Sequence, residues 1–110
     1  MMDHKTVEEY ILSMPNAKLD YPFGEGVAVY KVGGKMFALI SEDKKPLQLS
    51  LKCAPDLALV LREKYETVLE GYHLNKKHWN TIILTGQLPW EEVQGLIVHS
   101  YNLVTGSSEE

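Results

Sequence analysis

The stretch at residues 71–80, GYHLNKKHWN, concentrates side chains that can bind ligands. It contains two His, two Lys, two Asn, a Tyr and a Trp, and it contains no acidic residue. Imidazole nitrogens bind transition metals, ammonium groups bind phosphates, and aromatic rings stack on nucleobases. The same residue types also suit an ordinary turn, because Asn tolerates left-handed backbone geometry. The composition of this stretch therefore leaves metal binding, nucleic-acid binding and a structural role open.

A metal site in this stretch would lack ligands. His73 and His78 stand five residues apart, and the nearest carboxylate, Glu70, lies just before the stretch. Zinc sites use three or four nitrogen, sulfur or oxygen ligands. The other candidate ligands are scattered along the chain: His4, Cys53 and His99. We therefore predict no metal site and no cofactor.

Signatures of catalysis are weak. Cys53 precedes Pro55 at the predicted start of a helix, where backbone N–H groups can lower a thiol pKa, but a semi-buried junction residue is the simpler interpretation. The sequence contains no phosphate-binding loop, no G-x-S-x-G and no H-E-x-x-H. Adjacent carboxylates occur at predicted helix starts or turns, where solvation and the helix dipole explain them: Glu8-Glu9, Glu42-Asp43 and Glu91-Glu92. We predict a protein without a catalytic site.

Lysines recur in the predicted turns. Lys31 and Lys35 bracket Gly33-Gly34, and Lys44 and Lys45 occupy the next turn. Lysine is common on turns and edge strands, but basic groups beside aromatic rings at hairpin tips can also reach phosphates and stack on bases. The single Arg lies on a predicted helix, which disfavours base-specific readout more than phosphate contact. The predicted nucleic-acid-binding residues are Lys31, Lys35, His73, Lys76, Lys77, His78, Trp79 and Asn80.

The composition indicates one globular domain. The chain has 110 residues, 45% hydrophobic and 24% charged, with a net charge of −4 and one Cys. All 11 Lys and Arg precede residue 85, so a local basic face remains compatible with the acidic total. No apolar stretch approaches the ~20 residues of a membrane span, and no signal-peptide pattern is present. These features favour a cytoplasmic protein that does not interact with a membrane, whose oligomeric state the sequence leaves open.

Periodicity predicts a single α+β domain of order α-β(3)-α-β(2)-α. A capping box at Thr6 and Glu9 introduces the first helix, and Gly33-Gly34 joins two strands in a hairpin. The strand at 47–52 alternates apolar and polar residues and is predicted to have one wet face. The remaining expectations are an ordered loop at 15–26, a helix from Pro55 to about residue 65, strands at 66–72 and 79–84, and a helix opened by Pro89. We predict an antiparallel sheet with helices on one face over residues 1–105, followed by a frayed tail at 106–110.

Several segments together resemble the MmcQ/YjbR-like family of small bacterial proteins. The resemblance extends from about Thr6 to Val104 and is carried by DYPFG (20–24), GGKMFALI (33–40), LSLKCAPD (49–56), GYHLNKKHWNTIIL (71–84) and HSYNLV (99–104). Ala54 and Glu70 depart from the Asp and Pro more usual there. The resemblance implies the α+β fold shared with secretion chaperones and a proposed DNA-binding role based on wing-like hairpins. It implies no catalytic site.

Two main functions remain open at this point. One is a nucleic-acid-binding module that uses Lys76, Lys77 and the Lys31/Lys35 hairpin. The other is a chaperone-like adaptor that binds a protein or peptide through a sheet edge or an apolar helix face. A small-molecule pocket between the 15–26 loop and Trp79 is a weaker third option. The nucleic-acid interpretation requires both lysine-bearing hairpin tips to project toward a common partner.

Overall fold

The computed structural model describes residues 3–71 and 74–106. Within these residues the chain forms three helices and six strands. The helices are α1 (His4–Leu12), α2 (Pro55–Lys64) and α3 (Trp90–Thr105). The strands are β1 (Lys18–Asp20), β2 (Val27–Val32), β3 (Lys35–Ser41), β4 (Gln48–Lys52), β5 (Val68–Glu70) and β6 (Trp79–Ile83). The predicted α+β architecture is confirmed.

The six strands form one antiparallel sheet in the order β1-β2-β3-β4-β6-β5. Gly33 and Gly34 both adopt positive φ, as a two-residue hairpin between β2 and β3 requires. After β4 the chain crosses through α2 to the edge of the sheet, and β6 then returns between β4 and β5.

Strand direction assigns each connection to one end of the sheet. Because neighbouring strands are antiparallel, the β2–β3 turn and the β5–β6 connection emerge at the same end. The β3–β4 connection emerges at the other end. We call these the hairpin end and the opposite end.

The main core lies between the sheet and the three helices. Its largest fully buried side chains include Tyr30 and Phe37, which project from β2 and β3. The helices complete it with apolar residues at helical spacing, namely Val7 and Ile11 from α1, Ala58 and Leu61 from α2, and Val93, Ile97 and Val104 from α3. This burial anchors all three helices on one face of the sheet, as predicted.

In the part of the chain that the structure describes, no helix packs on the other face of the sheet, and we call it the helix-free face. Val29, Leu39 and Trp79 form a second, smaller apolar cluster there. The predicted wet face of β4 is only partly wet, because Ser50 is buried and its hydroxyl lies 2.8 Å from the hydroxyl of Thr81. The small cluster and this hydroxyl pair thus close much of a surface that alternation alone assigns to solvent.

Two local predictions were wrong. The loop predicted at 15–26 contains β1, whose exposed residues carry no alternating pattern. The first helix begins two residues before Thr6, because Asp3 is its N-cap and accepts a hydrogen bond from the Thr6 backbone N–H at 2.9 Å.

Of the tail predicted at 106–110, Gly106 caps α3 in a left-handed conformation, and 107–110 lie outside the described residues. No helix in the described ranges has the length and apolarity needed to cross a membrane.

Candidate nucleic-acid interface

The turn that carries Lys76 and Lys77 is held by the Asn75 side chain and by a bond from α2. The Asn75 side-chain oxygen accepts hydrogen bonds from the backbone N–H groups of Lys77 at 2.9 Å and His78 at 3.3 Å. This arrangement is an Asx turn, for which Asn is well suited. The Arg62 guanidinium on α2 donates to the Lys76 carbonyl at 2.7 Å and ties the turn to the body of the molecule. Both lysine side chains remain exposed.

Trp79 and Asn80, two of the predicted binding residues, are buried instead of presented to a ligand. Trp79 is 8% exposed and packs in the cluster on the helix-free face. Asn80 is 3% exposed; its side-chain oxygen accepts a hydrogen bond from the Arg62 Nε at 2.8 Å, and its side-chain NH2 group donates to the Ala58 backbone carbonyl at 3.3 Å. Neither residue presents an exposed ring or amide to a ligand, so we exclude both from the candidate interface.

The two predicted histidines differ in what can be said of them. His73 lies outside the described residues. His78 is partly buried, and its carbonyl accepts a hydrogen bond from the Cys53 N–H at 2.7 Å. This bond extends the β4–β6 pairing by one residue beyond Lys52 and fixes where the turn leaves the sheet.

The β2–β3 hairpin carries Lys31 and Lys35 as predicted. Lys35 is exposed at the tip, and Lys31 is half-buried and forms an ion pair with Asp20 at 3.7 Å. A β-bulge after Tyr30 shifts the register, so that Lys31 lies opposite Met36. Met36 packs on the cluster of the helix-free face, and residues opposite one another share a face. Lys31 therefore also projects from the helix-free face.

The strand register adds two lysines that sequence reasoning missed. Lys18 on β1 lies opposite Lys31, and Lys52 on β4 lies opposite Trp79. Each therefore projects from the helix-free face, close to the hairpin end. Lys52 falls between the two turns, about 10 Å from Lys31 across two strand spacings. The position of Lys52 at the end of a predicted strand indicated that it lies near an end of the sheet. Which lysines lie near it depends on the strand order, which the sequence did not show.

We call the resulting surface the basic end: Lys18, Lys31, Lys35, Lys52, Lys76 and Lys77. Among the described residues, the carboxylates at this end include those of Asp20, Asp56 and Glu70. Asp20 is paired with Lys31, and Glu70 lies 3.6 Å from the Arg62 guanidinium. Asp56 stands in the first turn of α2. Positive charge thus predominates at this end, although the chain as a whole carries a net charge of −4.

The opposite end has the reverse balance. Lys44 and Lys45 lie there in the β3–β4 connection, beside Glu42 and Asp43. The start of α3 adds Glu91 and Glu92, since the Tyr65 hydroxyl at the end of α2 donates to Glu92 at 3.3 Å. The third lysine-bearing turn is thus separated from the other two by the length of the sheet. The molecule is therefore electrostatically polar along its strands.

Cys53 does not have the environment of a reactive thiol. Its side chain is buried, and burial raises the thiol pKa to about 11, against a smaller lowering effect of Arg62. The neighbouring helix start is occupied by His99, whose Nε2 accepts the Ala54 backbone N–H at 3.1 Å. Burial lowers the His99 pKa, which favours the neutral ring that this acceptor role needs. Burial therefore outweighs the helix-start effect considered from the sequence.

A six-stranded antiparallel sheet, backed by three helices and lysine-rich at one end, defines the molecule as a small α+β domain. The profile of the family described as YjbR matches residues 12–103 of this sequence. The chain belongs to that family, which confirms the resemblance inferred from its motifs.

Relatives of known sequence and structure cover most of the chain. The uncharacterized protein YbdF of Escherichia coli O157:H7 is 36% identical over 101 residues, covering 92% of this chain and 83% of YbdF. The uncharacterized protein YjbR of Escherichia coli K12 is 33% identical over 93 residues, covering 84% and 79% of the two chains. The crystal structure of Deinococcus radiodurans protein DR2400, a DUF419 domain, superposes with a TM-score of 0.92 at 35% identity, covering 100% of this chain and 83% of that one. A Pseudomonas syringae protein of 29% identity superposes with a TM-score of 0.80, covering 93% and 98%.

Proposed function

We propose that the chain is a non-catalytic module that binds nucleic acid through the basic end. One observation carries the proposal: the β2–β3 turn and the β5–β6 connection, both rich in lysine, project from the same end of the sheet. Lys52 bridges the space between them. A polyanion lying across this end would meet ammonium groups from β1 to β6.

The chemistry of the basic end favours phosphate contact over base reading. Lysine binds phosphate as a point charge, whereas bidentate recognition of guanine most often uses Arg. The one Arg of the chain is engaged with Asn80, Glu70 and the Lys76 carbonyl. The burial of Trp79 further removes the aromatic platform that single-strand binding uses. We therefore expect little sequence preference and strong dependence on salt.

Charge reversal at the two ends of the sheet tests the proposal. Fluorescence anisotropy with a labelled duplex and a labelled single strand should give affinities that fall steeply with salt. Lys76→Glu with Lys77→Glu should weaken binding at least about tenfold at low salt and reduce the salt slope by about two.

The matched control is Lys44→Glu with Lys45→Glu, which applies the same change to an exposed turn at the opposite end. This control should bind nearly as well as the unmodified chain. Equal losses in the two double variants would mean that only total charge matters, and no binding in low-salt buffer would refute the proposed function.

A second candidate function, a peptide-binding adaptor, is favoured by a groove on the helix-free face. The groove has a volume of about 320 Å³ and is bordered by Phe23, Val27, Leu39 and Leu74. Phe23 is 63% exposed, so it presents an aromatic surface to a ligand that lies in the groove. This candidate predicts salt-tolerant binding of apolar peptides that Phe23→Ser weakens and Lys76→Glu with Lys77→Glu does not.

A further inference from the structure

Three potential metal ligands converge at the opposite end of the sheet. His4 and Glu8 belong to α1, and Glu42 belongs to the connection after β3. The His4 Nε2 lies 2.5 Å from Glu42 Oε2, and one ligand atom from each residue falls within 4.8 Å of the others. The set consists of one imidazole nitrogen and two carboxylate oxygens.

The local structure explains this convergence. His4 and Glu8 stand at i and i+4, so a helix aligns them on one face. Asp3 caps the helix, and the buried Val7 and Ile11 dock it on the sheet. The backbone N–H of Glu42 donates to the Gly26 carbonyl at 2.7 Å, which holds Glu42 where β3 ends.

Two tyrosine hydroxyls orient the carboxylates. Tyr30 is fully buried, and its hydroxyl donates to Glu8 Oε2 at 2.6 Å. The Tyr21 hydroxyl donates to Glu42 at 3.0 Å. Hydrogen bonds of this kind commonly fix the ligating carboxylates of metal sites.

The charges of the three side chains do not balance. Two carboxylates share the space with one imidazole, so the set carries excess negative charge whether or not the ring is protonated. Within residues 3–71 and 74–106, neither Glu8 nor Glu42 forms an ion pair with Lys or Arg. Like charges this close repel each other, and a divalent cation would relieve the repulsion.

We propose that His4, Glu8 and Glu42 form a binding site for a divalent transition-metal ion of the zinc type. Imidazole and carboxylate are ligands that zinc accepts, whereas calcium and magnesium prefer oxygen donors only. Three protein ligands leave a coordination position for water. The ion would bridge α1 to the β3–β4 connection, away from the basic end, so this site does not depend on nucleic-acid binding.

Calorimetric titration of zinc into the chelator-treated chain tests the site. We expect one ion per chain, with a higher melting temperature in its presence. Glu8→Gln and Glu42→Gln should each weaken zinc binding at least about tenfold, because each replaces an ionised ligand with a neutral one. Glu9→Gln, the adjacent exposed position on α1, is the matched control and should bind zinc normally.

Cobalt absorption provides a second measurement. Cobalt bound by this set should show visible d–d bands that His4→Ala abolishes, and His4 is an N-terminal, partly exposed residue whose loss the fold should tolerate. Binding that persists in the His4, Glu8 and Glu42 variants would assign the metal to other ligands, such as His78 or His99, and overturn the proposal. An absence of stoichiometric binding would overturn it too and reduce the triad to an ion pair.

Discussion

At the residue scale, Gly71 shows how one missing side chain supports the interface. A Cβ atom at this position would lie 2.6 Å from the Trp79 Cβ and 3.1 Å from the Trp79 carbonyl oxygen. The Gly71 N–H donates to that same carbonyl at 3.0 Å, so the two segments of backbone cannot move apart without losing this hydrogen bond. Only glycine permits this approach where β5 leads into the lysine-bearing connection.

We predict that Gly71→Ala lowers the free energy of unfolding by roughly 1–3 kcal/mol, as overpacking typically does. Urea denaturation measures the change. Gly95→Ala is the matched control, because Gly95 is an exposed position of α3 where an added Cβ meets no atom within 4 Å. Helix propensity should make that variant about 0.5–1 kcal/mol more stable. A Gly71→Ala protein as stable as the parent would show that the strands can separate freely.

Burial is what the sequence could not provide at this scale. Tryptophan and asparagine occur both in packed clusters and on exposed binding surfaces, so the residue types of Trp79 and Asn80 do not reveal their burial. Their positions at the start of a predicted strand did not distinguish the two, because the partner of each comes from elsewhere: Val29 and Leu39 for Trp79, and Arg62 for Asn80. By contrast, lysines in a predicted turn remained exposed, since solvation alone favours that outcome.

At the element scale, Arg62 couples α2 to the β5–β6 connection. Its Nε donates to buried Asn80 at 2.8 Å, and its Nη2 donates to the Lys76 carbonyl at 2.7 Å. A single helix side chain therefore holds both the first residues of β6 and the turn with the lysines. No local pattern predicts this link, because it joins residues 14 and 18 positions apart.

We predict that Arg62→Met lowers the free energy of unfolding by roughly 1–3 kcal/mol, because the Asn80 oxygen is left buried without a donor. Equilibrium denaturation by urea measures this loss. Lys64→Met, an exposed position on the same helix, is the control and should change stability little. If both variants lost equal stability, the effect would reflect helix charge and not the bonds to Asn80 and Lys76.

Elements with a strong local pattern could be predicted from the sequence. The β2–β3 hairpin has a two-glycine turn between apolar runs, α2 begins at Pro55, and α3 begins directly after Pro89. β1 could not be predicted, because its three residues are all exposed and are held by pairing with β2. The start of α1 was placed too late, which also hid the i, i+4 relation of His4 and Glu8.

At the scale of the whole molecule, the central feature is the segregation of charge along the strands. Antiparallel pairing places the β2–β3 turn and the β3–β4 connection at opposite ends of the sheet. The position of the β5–β6 connection depends on the path of α2, which carries the chain from β4 to the edge strand β5. β6 then pairs between β4 and β5. Sequence reasoning could therefore state the requirement for a common end but could not establish it.

Nuclear magnetic resonance titration of the labelled chain with duplex DNA tests this account most directly. We predict amide shifts at the basic end, centred on Lys31, Lys35, Lys52, Lys76 and Lys77, and unchanged signals from residues 42–47 at the opposite end. The shifts should fade as salt is raised, because phosphate binding releases counterions. Shifts confined to residues 42–47 or to the groove beside Phe23, or no shifts at low salt, would contradict it.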